Sequence, residues 1–194
     1  MSPNPALPAR INLFVQRAVA LGLIALIAVV SMDYFSPPAR AASAYACGTG
    51  GMVGDFSVKY TGVNSTWSNY FTTARGRWNS ANVYVTISHS SSAAASMTAA
   101  SYSDTWYGLY TPAFWGGSFT IKVNSRTLLR DAPSGKYETW VLSTSTHELG
   151  HSLALPDNPL SSTPNASLMN HNRDRSTVGW PTAADKASAV VCHH

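Results

Sequence analysis

The sequence is poor in charge, in cysteine and in glutamate, and each shortage excludes a class of protein. Only 11% of its 194 residues are charged and another 11% are aromatic, a composition that excludes an intrinsically disordered chain. Two cysteines are too few for a disulfide-dense miniprotein or a four-cysteine metal site. The formal net charge of +4 is small and scattered, so we expect no nucleic-acid partner. Glutamate occurs only at Glu138 and Glu148.

The N-terminal segment has the pattern of a secretory signal peptide. Residues 18–30 carry no charge, and two arginines but no acid come shortly before them. As a helix they would span roughly 20 Å, at ~1.5 Å per residue, whereas a bilayer core needs about 30 Å. Small residues follow, which predicts a signal peptide over residues 1–44, cleaved after Ala44 or alternatively after Ala41. An uncleaved membrane anchor is the competing interpretation.

Cleavage would leave residues 45–194 as the mature domain, secreted from the cell. This part carries ten basic and eight acidic residues, so half of the net charge belongs to the export signal. Its length is typical of one domain, and no internal repeat or linker divides it. We expect a monomer that has no stable association with the membrane after cleavage.

Hydrophobic periodicity in the mature part predicts both strands and helices. Alternating apolar and polar residues indicate strands, and apolar residues spaced by three and four indicate helices. The predicted strands are residues 55–63, 82–88, 103–109 and 118–129, with a loop at 89–95, and the predicted helices are residues 64–78, 137–153 and 183–191. This order favours the α+β class with a mostly continuous sheet.

The most informative motif is His147-Glu148-Leu149-Gly150-His151. Two histidines four residues apart lie on one face of a helix, so both imidazoles can reach one ion. Zinc binds imidazole nitrogen readily, and a catalytic zinc site uses three protein ligands plus water. Glu148 lies beside the first histidine, where it can take a proton from the water and return it to a leaving amine. The motif therefore predicts one catalytic Zn²⁺ ion, and a helix with two ordinary histidines is the alternative.

The motif alone leaves the third zinc ligand open. A glutamate from a later helix is excluded, because no glutamate follows Glu148. Asp157 is the nearest remaining candidate, ten residues after His147 and just beyond the predicted helix. The full set of candidates is Asp157, His171, Asp174, Asp185, His193 and His194.

The wider pattern resembles the metzincin zinc peptidases. The segment HELGHSLALPD begins at the first motif histidine, and SLMNHNRDR follows ten residues after its end. Aspartate as the third ligand is similar to the snapalysin type, and the surrounding residues are similar to bacterial matrixin-type peptidases. The resemblance implies that His147, His151 and Asp157 hold zinc, that Glu148 is the general base and that Met169 forms the Met-turn. It also implies one domain with a twisted mixed sheet of four to five strands, an active-site helix, a Met-turn and a C-terminal helix.

One residue departs from the family pattern. Ala154 stands where the family has glycine, and left-handed backbone would cost an alanine of order 1–2 kcal/mol. Either Ala154 tolerates this strain or the turn takes another shape, so His171 stays the second candidate for the third ligand. Some metzincins carry a residue two after Met169 that contacts the metal or the transition state, and His171 occupies that position. A solvated loop histidine is the favoured alternative for His171.

Two further expectations concern the substrate. Metzincins keep an edge strand that pairs with extended substrate, and residues 119–123 are expected to form it. The cluster Arg173-Asp174-Arg175 could border the pocket for the residue after the scissile bond, although a solvated charged loop is the favoured interpretation.

Together these observations predict a secreted zinc endopeptidase that acts on protein or peptide substrates. The alternatives are a catalytically silent secreted binding module and a zinc amidase acting on cell-wall peptides. An intact Glu148 argues against the silent module. The resemblance also allows for Ca²⁺, but eight acidic residues in the mature part leave few ligands for it.

Export would also place both cysteines in an oxidising compartment. A Cys47–Cys192 disulfide would tie the two ends of the mature domain together and close a long loop. The chain-entropy model assigns such a loop up to ~4–5 kcal/mol. The alternative is a free Cys47 thiolate that blocks the zinc as an inhibitor.

Overall fold

The computed structural model of the protein describes residues 44–158 and 163–193. The predicted signal peptide, apart from Ala44, lies outside this part of the chain, as does His194. No helix in the described part is long and apolar enough to cross a membrane. The strands are β1 (Phe56–Tyr60), β2 (Ile87–His89), β3 (Ala95–Ala100), β4 (Gly108–Pro112) and β5 (Phe119–Asn124). The helices of the same part are α1 (Ser65–Asn79), α2 (Ser125–Asp131), α3 (Tyr137–His151) and α4 (Ala183–Cys192).

The five strands form one mixed sheet in the order β2-β1-β3-β5-β4. The pairs β1–β2, β1–β3 and β3–β5 are parallel, and β4 pairs antiparallel with β5. In the centre of the sheet Val58 lies opposite Ala95, and Ile121 lies between Met97 and Tyr110. The predicted α+β class is confirmed, with the larger of the expected strand numbers.

The strand at the edge of the sheet nearest α3 is β4, so the prediction that residues 119–123 form the edge is wrong. β5 lies between β3 and β4, and its Phe119, Ile121 and Val123 are buried. Its clear alternation reflects that burial within the sheet. β4 alternates less, because Leu109 is 39% exposed and one side of the strand has no partner among the described strands.

Other strand predictions were wrong in their bounds. The strand expected at residues 82–88 is limited to Ile87–His89, because Asn82 and Tyr84 have φ of 56° and 59° and turn the chain. The strand expected at residues 103–109 begins only at Gly108 and continues to Pro112.

Two elements were not predicted. The strand expected at residues 118–129 ends at Asn124, where α2 begins. The side chain of Asn124 accepts a hydrogen bond from the Tyr102 amide (3.2 Å) and donates one to the Asp104 carbonyl (3.0 Å), which fixes this change of direction. Strand β3 was missed because its small residues, ASMTAA, show little hydrophobic alternation.

Helix α1 forms as the periodicity predicts. The Asn64 side chain accepts a hydrogen bond from the Trp67 amide (3.1 Å) and caps the helix, whose Phe71, Ala74 and Trp78 are buried. Trp78 Nε1 donates to the Thr146 carbonyl of α3 at 2.8 Å. This bond links α1 to the helix that carries the histidine motif.

Helix α3 ends at His151, two residues earlier than predicted, and Ala154 follows with φ of 58°. The alanine therefore adopts a left-handed backbone, at the position where the metzincin pattern that the sequence resembles has glycine. Gly51 packs against this turn, since a Cβ built on Gly51 would lie 2.7 Å from the Ala154 Cβ. The segment of residues 47–52 thus needs glycine at position 51, where it contacts the strained Ala154.

The segment of residues 47–52 is held against the C-terminal half of the domain. The Gly48 amide donates to the Ala154 carbonyl (2.7 Å), and the Met52 amide donates to the Ser152 carbonyl (2.8 Å). The structure contains the predicted Cys47–Cys192 disulfide, which attaches this segment to the end of α4. The disulfide therefore stabilises the turn that follows the histidine motif as well as the two ends of the domain.

Replacing Ala154 with glycine should stabilise the protein, because glycine adopts the left-handed backbone without a steric cost. We expect a gain of about 1 kcal/mol in the free energy of unfolding, or a rise of about 2–4 °C in Tm by calorimetry. The matched control is Ala187→Gly within α4, which should lower stability by about 1 kcal/mol. A loss of stability in both variants would show that Ala154 is not strained.

Removing the disulfide should destabilise the fold strongly. The loop it closes spans a sequence separation of 145 residues. The double variant Cys47→Ser, Cys192→Ser should lose up to about 4–5 kcal/mol of unfolding free energy in a denaturant titration. The parent protein under reducing conditions serves as the control and should match the double variant. Equal stability of parent and double variant would contradict this role.

Candidate metal centre

Three predicted ligands come together at the end of α3. His147 and His151 lie on the helix, and Asp157 reaches them from the far side of the turn at Ala154. Asp157 Oδ1 lies 3.1 Å from His147 Nε2 and 3.9 Å from His151 Nε2. One ligand atom from each of the three residues lies within 4.8 Å of the other two. The spacing of the motif and the turn after it thus produce a compact set of donor atoms.

Backbone carbonyls set the orientation of both imidazoles. His147 Nδ1 lies 2.9 Å from the Leu168 carbonyl, and His151 Nδ1 lies 2.7 Å from the Leu155 carbonyl. A carbonyl oxygen can only accept, so Nδ1 must carry the proton and Nε2 must carry a lone pair in each neutral ring. Both lone pairs then face the cavity. This arrangement is the usual one for histidines that bind a metal.

The charge states of the three groups also suit a cation. Burial, reinforced by the neighbouring Arg173, lowers the pKa of His147 to about 3. Burial likewise lowers the pKa of His151, while the contact with His147 lowers the pKa of Asp157 despite its partial burial. Near pH 7 two neutral nitrogens and one carboxylate therefore converge. Because each imidazole carries its proton on Nδ1, no proton lies between the two Nε2 atoms and the Asp157 carboxylate. A divalent cation bound there would accept their lone pairs.

Glu148 is buried beside this cluster. Its exposed fraction is 5%, and burial raises its pKa to about 8. Gly108 of β4 makes room for it, because a Cβ built on that glycine would lie 2.6 Å from the Glu148 Cγ. The carboxyl group is thus held between α3 and the edge strand, next to the three converging atoms.

Arg173 is a component of the site, and the prediction of a solvated loop at this residue is wrong. Its exposed fraction is 3%. Its guanidinium donates to the Ser143 side chain (3.1 Å), to the Ser143 carbonyl (3.1 Å) and to the Asn170 carbonyl (3.0 Å). Arg173 Nη1 also lies 3.1 Å from His147 Nδ1, and the charge of Arg173 contributes to the lowered pKa of that imidazole. The buried positive charge opposes the effect of burial on the Glu148 pKa.

Met169 is fully buried, with its sulfur against Gly150 of α3. The segment around Met169 is held by Asp185 of α4, which has no exposed surface. The Asp185 carboxylate accepts hydrogen bonds from the Ser167 hydroxyl (2.5 Å) and the Leu168 amide (2.7 Å). Because the Leu168 carbonyl in turn accepts from His147, Asp185 positions a metal-binding candidate without touching it.

The other candidate ligands do not join the cluster. His171 is exposed and lines the same cavity, but it does not belong to the group of three converging residues. Asp174 is exposed and binds the Ser176 amide (2.8 Å), and His193 lies near the Gly54 carbonyl (3.1 Å). Asp185 serves the Met169 segment, and His194 lies outside the described residues.

The roles of three residues that shape the site were not predicted, although Arg173 was considered as a pocket-bordering residue and Asp185 as a candidate ligand. Arg173 and Asp185 act through contacts between distant parts of the chain, and no local spacing indicates them. Tyr110 of β4 lies 5.7 Å from His151, ring to ring, and its hydroxyl donates to the Gly50 carbonyl. Tyr110 lies just beyond the strand predicted at residues 103–109, and no motif in the sequence indicates its position beside His151.

The chain resembles solved structures at low sequence identity. No family model and no curated relative matches the sequence. A chain of the GM1-bound form of the ECX AB5 holotoxin is similar with a TM-score of 0.56 and 15% identity, over 78% of this chain and 87% of that chain. Myroilysin has a TM-score of 0.48 and 13% identity over 79% of this chain and 96% of its own. Archaemetzincin from Methanopyrus kandleri has a TM-score of 0.45 and 13% identity over 74% and 97%. At 15% identity the first likeness shows a shared fold, and none of them singles out the snapalysin type.

Substitution of Asp157 tests the composition of the cluster. Asp157→Ala should weaken zinc affinity by more than about 100-fold, since about 10–100-fold is typical for residues that only orient a ligand. Competition with a chromogenic chelator measures the affinity. Asp104→Ala, which removes an exposed carboxylate elsewhere, and His171→Ala should bind zinc like the parent. A loss in His171→Ala with none in Asp157→Ala would move the third ligand to His171.

Proposed function

We propose that the protein is a secreted zinc endopeptidase. The observation that carries the proposal is the convergence of His147, His151 and Asp157 beside the buried Glu148. All four residues line one open cavity of about 440 Å³. A buried carboxyl group next to a metal-binding set in a cavity is the arrangement expected for hydrolysis by an activated water.

The donor set fits zinc in kind and number. Two imidazole nitrogens and one carboxylate oxygen make three protein ligands, which leaves a fourth position for water or substrate. When bound there, zinc supplies the Lewis acidity that makes water nucleophilic near pH 7 and polarises the peptide carbonyl. Met169, whose sulfur lies against Gly150 of α3, would serve as an apolar floor beneath the histidines and not as a ligand.

Glu148 moves the proton in this proposal. Burial raises the pKa of Glu148. The positive charge of a zinc ion held by the neighbouring ligands would lower that pKa again, so that Glu148 would be a carboxylate. The carboxylate can accept a proton from the attacking water and then deliver it to the leaving amine. Arg173, buried nearby, stabilises the negative charge while Glu148 is ionised.

The edge strand β4 supplies a surface for the substrate. Its Gly108, Leu109 and Tyr110 line the same cavity as Glu148. The outer side of β4 has no partner among the described strands, so its backbone groups can pair with an extended peptide. Backbone pairing binds the substrate chain on both sides of the bond that is cut, which favours an endopeptidase.

Secretion is supported by the export signal predicted at residues 1–44 and by the disulfide. A disulfide between Cys47 and Cys192 is stable in an oxidising compartment and rare in the cytosol. We therefore propose that the protein acts outside the cell as a monomer on protein or peptide substrates.

The role of Glu148 provides the test. Glu148→Gln keeps the shape of the side chain but removes the base, so the rate of casein cleavage should fall by about 10²–10⁴-fold with zinc content unchanged. The matched control is Glu138→Gln, which alters the only other glutamate, exposed on the first turn of α3. Equal cleavage by the parent and Glu148→Gln would contradict the proposal.

Parallel assays on purified cell wall separate the two remaining alternatives. A zinc amidase would release peptides from the wall and leave casein intact. A silent binding module would act on neither, although it would bind zinc. The proposal requires that the parent cleave casein.

A further inference from the structure

One wall of the cavity contains polar groups that the proposed reaction does not use. Arg175 lines the cavity, and no described carboxylate lies within 4.0 Å of its guanidinium. Its only hydrogen bond in the described part runs from Nη2 to the His171 carbonyl (3.2 Å), and its Nε has no partner. Thr144 Oγ1, which also belongs to the cavity lining and lies one helical turn after Trp140 on α3, is buried and also lacks a partner. A positive charge and a hydroxyl group therefore line one cavity, and neither has a protein partner of opposite charge in the described part.

Aromatic rings hold this arginine in place. The Arg175 guanidinium carbon lies 4.4 Å from the centre of the Tyr107 ring and 5.7 Å from that of Trp140. Both rings are themselves fixed, because Tyr107 donates to Asp131 (2.8 Å) and Trp140 donates to Ser176 (2.9 Å). Stacking on the ring faces leaves the edge of the guanidinium, apart from the N–H that Nη2 donates to the His171 carbonyl, free to bind a planar anion. The charge is thus positioned before any ligand arrives.

The other charges of the cavity do not neutralise Arg175. The nearby acidic groups are Glu148 and Asp157, which act on the Arg175 charge through space but form no ion pair with it. Asp157 contacts the two histidines, and Arg173 lies beside Glu148 as its positive neighbour. The prediction of a solvated loop therefore fails for Arg175 as well, since its guanidinium is stacked inside the cavity wall.

The position of this wall relative to β4 determines which part of a substrate would meet it. Gly108 lies against Glu148, and Tyr107, which precedes β4, lies against Arg175. Antiparallel pairing is slightly more stable per residue than parallel pairing. A substrate that pairs antiparallel with β4 therefore runs toward Tyr107 at its C-terminal end. The residue just after the scissile bond would then project toward Arg175 and Thr144.

We propose that Arg175 and Thr144 form a carboxylate subsite that selects an aspartate or glutamate side chain immediately after the scissile bond. This proposal rests on the proposed peptidase function and names a substrate class for it. The guanidinium would bind the carboxylate through charge-assisted hydrogen bonds, and the Thr144 hydroxyl would donate a further one. Both residues are specificity-determining and take no part in the proton transfer.

The experiment compares two quenched fluorescent peptides that differ only in the residue after the scissile bond, glutamate or glutamine. The two side chains have nearly the same size, so the ratio of their kcat/KM values reports the charge. For the zinc-loaded protein expressed from its full chain, we expect a ratio of roughly tenfold or more in favour of glutamate. Mass spectrometry of the products confirms the position of the cut.

Two variants assign the preference to the subsite. Arg175→Gln should bring the glutamate-to-glutamine ratio close to one, and Arg175→Lys should restore part of it. Thr144→Val, which keeps the shape but removes the hydroxyl, should lower the ratio less. The matched control is Arg126→Gln on α2, an exposed arginine outside the cavity, which should keep the parent ratio. A ratio is unaffected by a general loss of active protein, so misfolding alone does not imitate the result.

The outcomes separate the two proposals. If the parent cleaves neither these peptides nor casein, the peptidase function is wrong. If the parent cleaves both peptides at equal rates, the peptidase function stands and the carboxylate subsite is wrong. A glutamate preference that persists in Arg175→Gln would also overturn the assignment to Arg175.

Discussion

The hydrogen bonds that orient the two imidazoles are the constraint on which the rest of the site depends. Helix α3 brings His147 and His151 to one face, but the helix alone does not determine which nitrogen of each ring faces the cavity. The carbonyls of Leu155 and Leu168 do so by accepting from Nδ1. Both carbonyls lie outside the helix, so the site forms only when the segments that carry them are folded.

Much of the domain serves to hold those two segments. The turn at Ala154 presents the Leu155 carbonyl and Asp157, and it is held by residues 47–52 and their disulfide to α4. The second segment, around Met169, is held by two hydrogen bonds. The Leu168 amide donates to Asp185, and Arg173 donates to the Asn170 carbonyl. A strained alanine and two buried charges are costly on their own. Their presence here is explained by the precision with which they place three donor atoms.

Local features of the sequence allowed prediction of what depends on local spacing. Helices α1, α3 and α4 followed from apolar periodicity and capping residues, and the histidine motif followed from the four-residue repeat of a helix. Asp157 was favoured because it is close in sequence to the motif, and the structure places its carboxylate beside both histidines. Strand β3 was missed because its residues are small, and the edge position of β4 depends on the order of strands in space. Arg173 was misread because its burial follows from partners some 30 residues away, Ser143 above all, which no local pattern reveals.

The central claim is that two imidazole nitrogens and one carboxylate oxygen converge on a zinc ion. X-ray absorption spectroscopy of the zinc-loaded protein tests it most directly, since it reports the type and distance of the atoms around the metal. We predict two imidazole nitrogens near about 2.0–2.1 Å, oxygen ligands at about 2.0–2.2 Å and no sulfur. A third imidazole, or a sulfur at about 2.3 Å, would contradict the account.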